Sequence, residues 1–272
     1  MTYLMNSTNL ITRKPPASMR SSRLGLLAGV ALAAALLPQR SANASLMITF
    51  TSGASTVTVT DQETSPVLDA SPTVGEIITT TNVGTFGVQI TVAVSNSPGS
   101  SSAGTLQITS LDITNSTNVG QQTLSILTSD TGYALPGNPP LSMNLNSAFT
   151  GTFGSGSQPT DNASFQSFAD PNNGQPATAN PTGPLSFSYP TTEAPNFTSF
   201  SGNNNVSWSR LATPYSLSDL TTVTLSPGAS INITGTTTAT AVSPSVPEPT
   251  LGVVPALALG LLARRRRNPA KA

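Results

Sequence analysis

The side chains that could do chemistry in this sequence are few and of one kind. Between Ser45 and Ser245 there is no His, no Cys and no Lys. The one base there, Arg210, stands against ten carboxylates: Asp61, Glu63, Asp69, Glu76, Asp112, Asp130, Asp161, Asp170, Glu193 and Asp219. A Ser-His-Asp triad, a cysteine nucleophile and a Schiff-base lysine each lack an essential member. Zinc and copper sites draw on His or Cys and lack them too. Oxygen chemistry survives. Two carboxylates can hydrolyse a glycosidic bond, but the spacing of these ten selects no pair, so the expectation is a non-enzymatic protein without a cofactor. Calcium needs only carboxylate, amide and carbonyl oxygens. Asp161, Asp170 and the Asn172-Asn173-Gly174 turn could supply them, although Asp-Pro-Asn-Asn-Gly is first of all turn chemistry and no Asp-x-Asp-x-Asp-Gly loop is present. The acidic excess argues against nucleic acid or an anionic membrane as a partner.

Aromatic residues offer a second kind of chemistry. Ten of the 14 lie between Phe149 and Tyr215. Buried, they fill a core; exposed on a sheet face, they stack on sugar rings. Under the second reading the stretch 185–215 is a glycan-binding module or adhesin, with Tyr189 and Trp208 as the stacking residues.

Any of these groups must be positioned by β-strands. Thr, Ser, Val, Ile and Asn dominate from Ser45 onward, and good helix formers are scarce. In Phe86–Val94, Phe86, Val88, Ile90, Val92 and Val94 alternate with Gly87, Gln89, Thr91 and Ala93, the period of a half-buried strand. Shorter candidates are Leu46–Thr51, Thr56–Thr60, Glu76–Thr81, Leu106–Ile113, Thr123–Thr128 and Leu141–Leu145. The alternation slips at Thr109-Ser110, which predicts a bulge. Residues 151–184, rich in Gly, Ser, Pro, Asn and Gln, read as a loop-rich insertion. Alternation returns at Leu185, Phe187 and Tyr189, then at Val206 and Trp208. Thr222–Leu225 and Ile231–Ile233 flank Ser226-Pro227-Gly228-Ala229-Ser230, which reads as a hairpin. Ser/Thr-rich residues 234–245 read as a linker. The expected fold is an all-β antiparallel sandwich over 45–233, held by packing alone because there is no Cys to form a disulfide.

The termini carry a different message. Residues 1–23 are basic, Leu24–Leu37 are apolar and uncharged, Pro38 ends that run, and Ala42-Asn43-Ala44 has the small-x-small pattern of a signal-peptidase site. A cleaved signal peptide over 1–44 is expected, with export translocase and signal peptidase as partners and Ser45 as the mature start, an uncleaved anchor being the alternative. Met19 would itself open a signal peptide of ordinary length. At the other end, Val246-Pro247-Glu248-Pro249 is stiffened by two prolines and reads as an extended segment that a groove could grip. Thr250–Ala263 follows without a charge, and Arg264, Arg265, Arg266 and Arg267 make a basic stop that stays cytoplasmic. The apolar run has 14 residues, short of the roughly 17–25 that span a bilayer.

Motif, short hydrophobic helix and arginine cluster, in that order over 246–267, resemble the PEP-CTERM sorting signal, with Pro247-Glu248-Pro249 as its signature. The resemblance implies handling by an exosortase-type membrane transpeptidase. It also implies transient anchoring in the inner membrane, then placement at the cell surface or in the extracellular matrix of a biofilm. The Tyr215–Thr240 segment is similar to a closing hairpin common in such exported proteins. The function expected is therefore that of an exported surface or matrix protein associated with exopolysaccharide, with the glycan-binding module as the alternative.

Overall fold

The computed structural model describes residues 46–64, 69–191 and 197–242. Over these the chain forms twelve strands and no helix. They are β1 (Met47–Ser52), β2 (Ser55–Thr60), β3 (Glu76–Val83), β4 (Phe86–Ser95), β5 (Ala103–Asn115) and β6 (Gln122–Tyr133), followed by β7 (Leu141–Phe153), β8 (Asn162–Asp170), β9 (Leu185–Ser188), β10 (Thr198–Arg210), β11 (Tyr215–Leu225) and β12 (Ser230–Ala241). Two six-stranded antiparallel sheets result, ordered β2-β1-β6-β11-β8-β9 (the first sheet) and β10-β7-β12-β5-β4-β3 (the second sheet).

Threonine explains how so polar a chain makes so much sheet. It carries valine's β-branch, which suits a pleated surface, and its hydroxyl is at home in water. β12 shows the division: Ile231, Ile233, Gly235, Thr237 and Ala239 are buried, while Asn232, Thr234, Thr236 and Thr238 face outward. The buried sides of the two sheets share one hydrophobic cluster, with Phe50, Ile126 and Phe165 from the first and Ile90, Leu145 and Phe149 from the second. Phe149 and Phe165 stack across it with ring centroids 5.2 Å apart. Face-to-face packing of this kind is consistent with a β-sandwich.

Strands β1 to β7, β9 and β10 fall where apolar alternation puts them, several running longer than the pattern. In β4 the expected face holds only as far as Ile90: the register shifts against β3 beyond it, so Ala93 is buried and Val94 is exposed. The slip at Thr109-Ser110 is a bulge. Ile233 pairs with Leu111 and Gly235 with Ile108, so two residues of β5 oppose Thr234 alone. Ser110 takes φ 52°, and its N–H donates to Thr234 Oγ1 at 3.3 Å.

Three expectations are corrected. Within 151–184, residues 162–170 form β8, paired on both sides by β11 and β9. Its inward positions are Ala163, Phe165, Ser167 and Ala169, too small or too polar, Phe165 apart, to register as a hydrophobic period. Residues 234–241 are the greater part of β12, hydrogen-bonded between β5 and β7, and so not a linker. The Ser226–Ala229 turn does not close a hairpin, because β11 lies in the first sheet and β12 in the second. Gly228, at φ 73°, lets the chain reverse there while crossing between sheets. Asn115, fully buried, pins the crossing by donating to Leu225 and Ser226 carbonyls at 2.9 and 3.2 Å.

Candidate functional site

The residues expected to carry sorting and signal cleavage (Val246, Pro247, Glu248, Pro249, Arg264–Arg267, Ala42 and Ala44) lie outside the described residues. The proposed stacking pair does not. Tyr189 is 4% and Trp208 5% exposed, and both belong to the core. Tyr189 meets Phe153 edge-on at 5.8 Å, and Trp208 meets Tyr215 edge-on at 5.5 Å. Neither offers a face to a sugar, so this assignment is corrected. Most of the aromatic excess over 149–215 is core for the same reason: Phe149, Phe153, Phe187 and Phe200 form one chain of ring contacts.

The calcium reading also comes apart. Asp161 and Asp170 flank the two ends of β8, ~30 Å apart at strand rise. Asp161 is buried and already engaged. Its Oδ1 accepts from the Ser226 N–H at 2.8 Å and hydroxyl at 2.6 Å, and its Oδ2 accepts from the Gln158 N–H at 2.9 Å. Asp170 Oδ1 accepts from the Asn172 N–H at 2.8 Å, the turn role its sequence context suggests. Among the described residues no three His, Cys, Asp or Glu side chains gather to hold a metal ion.

Arg210 is fully buried at the end of β10. Its guanidinium donates to the carbonyls of Ala134 (2.6 Å), Pro136 (2.7 Å) and Gly137 (3.0 Å) and lies 5.1 Å from the centre of the Tyr215 ring. The Tyr215 hydroxyl donates to Leu135 O at 2.8 Å. Together they clamp the segment between β6 and β7, and the fork shape of Arg suits several carbonyls at once. Burial lowers the Arg210 pKa, against a smaller opposite pull from Tyr215, and raises that of Tyr215.

A polar band crosses the core nearby. Ser167 and Thr237 share a hydrogen bond at 2.7 Å from one sheet to the other. Asp219 sits between Thr128 and Ser167 in strand register, fully buried, and neither carboxylate oxygen has a well-formed hydrogen bond. Burial pushes its pKa up to about 8, with the Thr128 hydroxyl pulling the other way. This group is closed to solvent and has no access for a substrate.

The accessible candidate lies on the outer side of the second sheet. Strand register sets Gln89, Asp112, Asn232, Thr152 and Ser199 side by side across β4, β5, β12, β7 and β10. Asn232 Nδ2 donates to Asp112 Oδ1 at 2.6 Å, and the Thr152 and Ser199 hydroxyls are 3.0 Å apart. Where this row meets Thr114, Ser230 and Gly154 the surface sinks into a depression of about 180 Å³. Phe197, just before β10, lines it and is 75% exposed. Sequence reading counted Phe197 among the aromatics but had no means to single it out. Asp112 and Asn232 are 120 positions apart, a neighbourhood that only the sheet order reveals.

Compared with family models and with curated proteins, the chain has no match.

Proposed function

We propose that this chain is an exported, non-enzymatic protein of the cell surface or extracellular matrix, associated with exopolysaccharide and delivered through its C-terminal signal. In this reading a β-sandwich ectodomain is flanked by a signal-peptide helix and a short hydrophobic sorting helix. The carrying observation is the ordered tail: Val246-Pro247-Glu248-Pro249, an uncharged run, then Arg264–Arg267. Its partners are the export translocase, signal peptidase and an exosortase-type transpeptidase. The outer side of the second sheet supports the same reading. Its β7, β12 and β10 positions are Ser, Thr, Asn and Ala, with Asp112 on β5 the one charge in the row described above. Such a surface hydrates well and meets neutral polymers without a counter-charge. Fractionation of the producing cells tests it. The protein is expected in the surface and matrix fractions, and recovery in the cytoplasm alone would overturn the proposal. Glycan binding is the second reading, and the exposed Phe197 favours it.

A further inference from the structure

We infer that the depression beside Phe197 is a binding subsite for one neutral sugar ring of a polysaccharide. The inference rests on the reading that the delivered domain meets neutral polymers. Three observations carry it. First, Phe197 spends 75% of its surface on water although the rings on either side of it in the sequence, Tyr189 and Phe200, belong to the core or pack against it. An aromatic ring left in solvent beside a hollow whose mainly apolar lining is edged by the Thr114, Thr152 and Ser230 hydroxyls is what a pyranose ring needs, since its C–H face is apolar and its edge is polar.

Second, the polar groups around the hollow match a sugar's edge. The Asn232 amide is used on one oxygen of Asp112, which leaves the other Asp112 oxygen and the Asn232 carbonyl as acceptors for sugar hydroxyls. The hydroxyls of Thr114, Thr152 and Ser230 can donate or accept. At about 180 Å³ the hollow is smaller than the roughly 300–1,000 Å³ typical of pockets for drug-sized ligands, and suits a single ring. Gly154 is one of its lining residues, close to the Ser230 hydroxyl.

Third, charge excludes the acidic alternatives. Asp112 repels carboxylate and sulfate, and no base lies on the hollow's lining. Arg210, the one base between Ser45 and Ser245, is buried at the far end of β10 from Phe197. Uronic-acid polymers therefore find no partner here, and neutral ones do.

Titration of the purified full-length chain with neutral gluco-, xylo- and manno-oligosaccharides, and with uronic-acid oligomers, tests this. At least one neutral series is expected to bind, with or without EDTA. Phe197→Ala should weaken it about tenfold, the loss of one stacking contact, and Asp112→Ala should weaken it as well. The melting temperature of Phe197→Ala should stay that of the wild type, because the ring is not core. Lack of binding to every neutral series, preference for uronates, or equal affinity in wild type and Phe197→Ala would each overturn the subsite. Delivery to the surface is read separately by fractionation, so loss of the subsite and loss of the functional reading are distinguishable.

Discussion

Asp219 is held in the core with neither oxygen making a well-formed hydrogen bond, and that makes stability depend on pH in a calculable direction. Its folded pKa is about 8, against an ordinary carboxylate value of about 3.9 in the unfolded chain. Below about pH 4 both states are protonated and the group contributes nothing. Between about 4 and 8 the unfolded chain ionises while the folded one keeps its proton, so stability falls as pH rises, by up to ~1.4 kcal/mol per unit. Above 8 this contribution is flat. Asp130 on β6 and Tyr133 face the same region and add no positive charge, and burial also raises the Tyr133 pKa. Chemical denaturation of wild type and Asp219→Asn at pH 5 and pH 8 should show the wild type losing more stability than the variant. Parallel losses would contradict the assignment. Arg210 is also buried, but its guanidinium donates to backbone carbonyls. Arg210→Met leaves the carbonyls of Ala134, Pro136 and Gly137 without their donor and should cost about 3 kcal/mol or more in the same denaturation measurement.

Strands whose inward positions are large and branched are legible in the sequence, and strands whose inward positions are small or hydroxylated are not. β4 buries Phe86, Val88 and Ile90 and announces itself. β8 buries Ala163, Ser167 and Ala169 around a single Phe165, and β12 turns Gly235, Thr237 and Ala239 inward, so both pass for loop or linker. Their smallness has a packing cause. The Phe165 ring occupies the place a Cβ at Gly235 would take, and no far end of a flexible chain is available to yield. Gly235→Ala is therefore expected to destabilise by about 1–3 kcal/mol, the range for overpacking a core. A thermal melt unchanged from wild type would mean the two sheets are not in the register described. β8 lies between β11 and β9 with backbone partners on both sides. Amide exchange over 162–170 should accordingly be as slow as over β11, whereas a loop insertion would exchange at once. The hairpin misreading has a topological cause: Ser-Pro-Gly-Ala is competent turn chemistry, but local chemistry does not say which sheet the next strand joins.

For the whole molecule, sequence and fold speak to different halves of the account. The proposed delivery is read from the two ends of the chain, in residue order that needs no fold. The proposed ligand contact is written in strand register, where Asp112, Asn232, Thr152 and Phe197 meet from distant positions, whereas sequence alone pointed to Tyr189 and Trp208. Under the proposed function, one buried base between Ser45 and Ser245 and an outer sheet face of hydroxyls and amides suit a polymer-rich exterior, which joins the two halves. The claim that joins them is processing at the tail. Intact mass and location of the wild-type protein, beside Glu248→Ala, in a host carrying the sorting machinery, test it directly. The account predicts a wild-type product that begins at Ser45, lacks Arg264–Arg267 and leaves the membrane, while the variant keeps its tail and stays. Identical masses with both proteins retained in the membrane would contradict it and leave a plain C-terminal anchor.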